Sequence, residues 1–238
     1  MDTSPRFLPY LLSLPTPPPL NHTTLMKKFF PLLLLTLLTL PHSSHAHSIQ
    51  AGSGFTSGLT HPVFGFDHLL AMLSVGILSA QIGGRAIWTV PATFVLFVLF
   101  GGILGMNHVG VFSVESGIAV SVIVLGIGIL ADKKIPLMLA MAGVALFGLF
   151  HGHAHGTEMP GYAQPVLYAS GFILGTATIH LIGVAIGWLA TRTRIGSLSL
   201  RTTGAAIALC GMYFLFSATS TAKADTLSNE SSQASLNH

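Results

Sequence analysis

Six stretches of the chain, at residues 62–82, 86–106, 111–131, 135–154, 165–190 and 202–219, are almost wholly apolar. Each is long enough for a membrane span, which needs about 20 apolar residues at about 1.5 Å rise per residue to cross about 30 Å of hydrocarbon. Only 7% of the 238 residues are charged, against about 25% in an ordinary soluble domain. The expected fold is therefore an all-α integral membrane protein, a bundle of six transmembrane helices. From His47 onward the seven Lys/Arg and six Asp/Glu nearly balance, so the chain has no basic footprint for nucleic acid. The single cysteine, Cys210, lies in an apolar stretch, which excludes an internal disulfide and any CxxC metal motif.

The segment "MKKFFPLLLLTLLTLPHSSHA", Met26 to Ala46, reads as a cleavable secretory signal. It has a basic start, a short apolar core, and Ser44 and Ala46 at the small positions of a cleavage site. Residues 1–25 are Pro-rich and are expected to be an upstream extension or a mis-assigned start. The spanning domain is then 47–219, with a Gly/Ser-rich lead to residue 60, and a polar tail at 220–238 without regular structure. Basic residues set the expected orientation. Arg85, then Lys133 and Lys134, then Arg192, Arg194 and Arg201 fall in alternate connections, while 107–110 and 155–164 contain no Lys or Arg. By the positive-inside rule both ends of the six-helix domain lie outside the cytoplasm, in a bacterial inner membrane.

Histidine is the unusual residue: twelve in all, eight of them from His47 through His180. Counting from each segment's cytoplasmic boundary, His68 stands 17 residues before Arg85, Glu115 17 before Asp132, and His151 17 after Lys134. All three reach about 25 Å above the inner boundary. His151, His155 and Glu158 share a helical face at i, i+4 and i+7, and His61 and His68 share another at a spacing of seven. His153 points elsewhere. His61 and His108 lie near the outer edge, and His180 falls about 18 Å up, near mid-membrane. Pro62, Gly152 and Gly156 are positions where these helix ends can break. Ionisable groups inside a membrane mark functional sites by default; packing alone is the competing explanation for His108 and His180, as it is for Met72, Met138 and Met141.

Two long motifs run through these residues. "HPVFGFDHLLAM", His61 to Met72, is an H-x5-D-H pattern, and "FHGHAHGTE", Phe150 to Glu158, is an FHGxAHGxE pattern. With "GFILGTATIH", Gly171 to His180, the chain from about His47 to Thr219 resembles the HupE/UreJ family of nickel/cobalt permeases. The resemblance implies an inner-membrane permease with a cleaved signal, serving nickel enzymes such as hydrogenase or urease. It maps the family's motif residues onto His61, Asp67, His68, His151, His155 and Glu158.

The residue chemistry is compatible with that. Imidazole and carboxylate suit divalent borderline metals such as Ni²⁺, Co²⁺ and Zn²⁺, and the lack of thiolates disfavours Cu(I). The expected role is import of Ni²⁺ or Co²⁺ as substrate, not catalysis, with no tightly bound cofactor and the lipid bilayer as surroundings. His180, Glu115, His108 and His47 are further candidates along the path; His47, as a new N-terminus, offers an amine and an imidazole together. The same ligands would also serve an intramembrane zinc-dependent hydrolase or a non-transporting metal-binding accessory protein.

Overall fold

The computed structural model describes residues 54–161 and 163–236, with side chains through Lys223. The expected signal segment, the extension before it and His47 lie outside the described residues. Seven helices follow one another: α1 Gly54–Phe64, α2 Phe66–Ile82, α3 Ala86–Met106, α4 Val114–Ala131, α5 Leu137–Thr157, α6 Pro165–Ala190 and α7 Arg194–Leu236. The last five are each long and apolar enough to cross a membrane, and α1 with α2 makes a sixth if that bent pair is one span. The second apolar segment coincides with α3 and the fifth with α6.

The first segment is not one straight helix. Helix begins at Gly54, inside the expected Gly/Ser-rich lead, and the chain turns by 82° between α1 and α2. The break falls at Gly65, whose backbone is extended (φ −81°, ψ 103°). Glycine has the least to lose by leaving helical geometry. A spacing of seven therefore does not put His61 and His68 on one continuous face, as the sequence suggests; they stand on two helices. The tail expected to lack regular structure is also different: α7 runs on to Leu236. Once a helix exists, each further residue adds a hydrogen bond without a new nucleation cost.

The buried faces are small residues against backbone. Gly101 and Gly105 of α3 lie on Leu149 and His153 of α5, and Gly152 of α5 lies on Val98 of α3, so these two helices run parallel at close approach. A Cβ at Gly152 would overlap the Val98 carbonyl oxygen. In the same way α2 runs parallel to α6, Gly76 against His180 and Gly187 against Ile77, while α4 and α7 cross antiparallel through Gly126 and Gly204. Such small-residue contacts let backbones approach where lipid offers no hydrophobic drive for association. Met72, Val75, Phe94, Val122, Leu125, Ile129 and Val144 fill the centre, almost fully buried. Outward, Trp88, Leu96, Leu146, Leu174 and Phe216 are exposed, the pattern of a bundle whose solvent is lipid. At one end the Gln81 amide donates to the Ile129 carbonyl at 3.2 Å and to Asp132 at 3.1 Å, and Lys134 donates to the Ile82 carbonyl at 3.2 Å. These bonds fix the ends of α2 and α4 against each other, and so set the heights of the side chains at their far ends.

Candidate metal site

At the opposite end from Gln81, four imidazoles from three helices form a ladder. His61 of α1 meets His155 of α5 with ring centroids 4.7 Å apart. His155 meets His68 of α2 at 4.3 Å, and His68 meets His151 of α5 at 4.8 Å. Each contact is edge to face. The bend at Gly65 is what lets α1 and α2 offer one imidazole each to the two histidines of α5. His151 and His155 share a face because α5 stays helical through both Gly152 and Gly156, to Thr157. Glycine costs about 1 kcal/mol relative to alanine in a helix, and here the close packing on α3 admits nothing larger.

Carboxylates stand at two heights on this ladder. Glu158 caps α5, its amide bonded to the Ala154 carbonyl, and its Oε2 lies 3.2 Å from His61 Nε2. His61, His155 and Glu158 can bring one ligand atom each to within 4.8 Å of one another. Deeper in, Asp67 Oδ1 accepts from both the backbone amide and the Nδ1 of His68, each at 2.8 Å. Asp67 lies in the first turn of α2, where the helix dipole favours a negative charge. The structure thus divides the six motif residues into an outer group, His61, His155 and Glu158, and an inner group, Asp67, His68 and His151. His155 touches both.

Buried polar atoms are nearly always hydrogen-bonded. Here, among the described residues, His68 Nε2, His151 Nδ1 and both ring nitrogens of His155 are buried and have no such partner. Four unsatisfied imidazole nitrogens on adjoining rings are a costly arrangement for packing alone, and an apt one for a divalent cation. Two carboxylates within the group can balance its charge.

The remaining candidates fall differently. Glu115 stands in the first turn of α4 but is exposed, and makes no hydrogen bond or ion pair with the ladder among the described residues. Its charge nevertheless acts on Asp67, His68 and Glu158, while Ser121 is the α4 side chain that bonds to the ladder. His108 sits exposed in the α3–α4 connection with φ +54°. His153 is buried and bonds the Val109 carbonyl at 2.8 Å, which ties α5 to the same connection. His180 is 1% exposed. Its ring packs on Phe94 at 5.1 Å, and Phe94 also meets His151 at 5.5 Å. Neither nitrogen of His180 has a hydrogen-bond partner among the described residues. Of the methionines, Met72 is fully buried in the core and Met138 is 75% exposed.

Two neighbours of the site escape a reading of motifs. One is Phe94, a single aromatic in a helix full of them. The other is Ser121, whose hydroxyl lies 2.9 Å from His151 Nε2. Ser121 is the one polar side chain in the run from Gly117 to Ala131, and that isolation was its signal.

Comparison with known proteins shows the family of the chain. Residues 32–214 match the family model described as HupE / UreJ protein. The chain is 38% identical over 181 residues to Protein HupE of Rhizobium leguminosarum bv. viciae, covering 76% of this chain and 94% of that protein. No solved structure matches the chain.

Proposed function

Because the chain belongs to the HupE/UreJ family, we propose that it imports divalent nickel or cobalt through the imidazole ladder, for the maturation of nickel enzymes such as hydrogenase or urease. Proteins of this family are transporters or accessory proteins and not enzymes, so the hydrolase alternative falls away. The observation that carries the reading is the ladder itself, with four of its ring nitrogens buried and without a hydrogen-bond partner among the described residues.

The proposed topology is six spans, the bent α1–α2 pair counted as one, in the inner membrane with both ends outside. The outer group then faces the external side. Glu158 and His61 are its most accessible members, with 49% and 20% of their side chains exposed. A hydrated dication exchanges water for these ligands, passes to His155, and is handed to His68 and His151. Neutral imidazoles hold a borderline cation without trapping it, and transport requires binding weak enough to release. Below, His180 is the next imidazole, sharing the neighbour Phe94 with His151. A negative-inside potential adds about 2.3 kcal/mol per charge per 100 mV, which favours inward movement of a doubly charged ion.

Uptake of radiolabelled nickel by cells expressing the chain tests this, with Co²⁺ and Zn²⁺ as competitors. Nickel should accumulate above control cells and Co²⁺ should compete for it. Accumulation no greater than in cells lacking the protein would overturn the proposal.

A further inference from the structure

Ser121 sits fully buried on α4 with two contacts. Its Oγ lies 2.6 Å from the Ile118 carbonyl oxygen and 2.9 Å from His151 Nε2. A hydroxyl has one proton, and a carbonyl oxygen only accepts. Two oxygens at that distance, shorter than the usual O–H···O separation of about 2.7–2.8 Å, need a proton between them. The serine proton is therefore committed to Ile118. The contact to His151 must then be donated by the imidazole, with Nε2–H giving to the serine oxygen.

His68 is held in the opposite sense. Its Nδ1 faces Asp67 Oδ1 at 2.8 Å, and a carboxylate only accepts, so the proton is on Nδ1. What remains free on each ring is one lone pair: Nε2 on His68 and Nδ1 on His151. Those are the two atoms on these rings that are buried without a hydrogen-bond partner among the described residues.

We propose that Ser121 is a positioning residue that fixes the tautomer and ring orientation of His151, so that His151 presents Nδ1, and His68 Nε2, as ligand atoms to the cation. The inference rests on the permease reading for the identity of the cation, though not for the tautomer. It makes α4 a supporting element of the site through a hydroxyl, whereas its carboxylate, Glu115, has no hydrogen bond to the ladder among the described residues. A partner on the far nitrogen of a metal-binding imidazole commonly alters metal affinity by about 10–100-fold.

The test uses the full chain purified into nanodiscs, with ¹⁵N-labelled histidine. Nitrogen signals of His151, assigned by their loss in His151→Asn, should show a protonated Nε2 and an unprotonated Nδ1 in the metal-free protein. Ser121→Ala should lose this single tautomer and weaken Ni²⁺ binding by about tenfold. Ser121→Thr, which keeps the hydroxyl, should restore both. A protonated Nδ1 in the wild type, or Ser121→Ala binding Ni²⁺ as the wild type does, overturns the assignment. Because the nitrogen signals are read without metal, they decide it even if the wild type binds no nickel, a result that would overturn the permease reading alone.

Discussion

His61 Nε2 and Glu158 Oε2 lie 3.2 Å apart, although 97 residues separate them in the chain. One belongs to the short helix before the Gly65 break and the other ends α5. Their meeting joins two elements that a straight first span would have kept apart. It also creates the half-exposed rim of the ladder, where the proposed import would begin.

That placement separates capture from passage. His61→Ala and Glu158→Gln should raise the nickel concentration for half-maximal uptake about tenfold, equivalent to about 1.4 kcal/mol of capture free energy. Maximal uptake should fall less. Initial-rate measurements over a range of nickel concentrations check this, and an unchanged half-maximal concentration in both variants would remove the outer group from the path.

The inner group should be less forgiving. Asp67→Ala, His68→Ala and His151→Ala are each expected to abolish uptake while the protein still reaches the membrane at normal levels by immunoblot. His153→Ala is the contrast. It loses one hydrogen bond to the α3–α4 connection, worth about 1 kcal/mol, and should retain most uptake. Equal loss from His153→Ala and His151→Ala would mean that the wrong imidazoles are assigned.

His180 should act on rate. It shares Phe94 as a ring neighbour with His151 and has no hydrogen bond to lose among the described residues. His180→Ala is expected to cut maximal uptake strongly while Ni²⁺ binding to purified protein stays near the wild-type value. Unchanged uptake with a lower thermal midpoint would make His180 a packing residue instead.

The glycine contact between α3 and α5 predicts a stability effect with a built-in control. Gly152→Ala places a methyl on the Val98 carbonyl, whereas a Cβ at Gly143, on the same helix, meets nothing within 4 Å. Overpacking of this kind costs about 1–3 kcal/mol. Gly152→Ala should lower the thermal midpoint in detergent and reduce uptake, and Gly143→Ala should do neither. Equal midpoints for the two variants would show that α3 and α5 are not packed as described.

Orientation is open to a direct measurement. A reporter fused after Thr219 should be active on the external side, and one in the 132–135 connection on the cytoplasmic side. The reverse pattern would turn the ladder toward the cytoplasm and make it an exit.

Most of the bundle was legible in the sequence because a bilayer imposes length and hydropathy on anything that crosses it. The second and fifth apolar segments coincide with α3 and α6 for that reason. Counting rise from the basic boundaries also foresaw that His68 and His151 share a level, and their rings meet. Height, however, says nothing about rotation about the helix axis. That is why a shared level alone did not say whether Glu115 would bond to the ladder, and why Ser121, further along the same helix, went unnoticed. The break at Gly65 was hidden because a short apolar run reads alike whether straight or bent. Only packing of α1 along α6, with Gly58 on Tyr168 and Gly171 on Phe55, decides between them.

If the ladder conducts a cation as proposed, its spacing also governs how many ions it can carry. Two dications on neighbouring rungs, about 5 Å apart, would repel by roughly 13 kcal/mol at an effective dielectric of about 20. Occupancy of one rung therefore strongly weakens binding at the next. A solitary ion can rest firmly, and the arrival of another behind it loosens its hold. Firm retention and quick departure, which conflict at a single isolated site, are thus separated in time. Turnover should keep climbing with external concentration after one ion is always aboard, as in a queue that advances only when someone joins it.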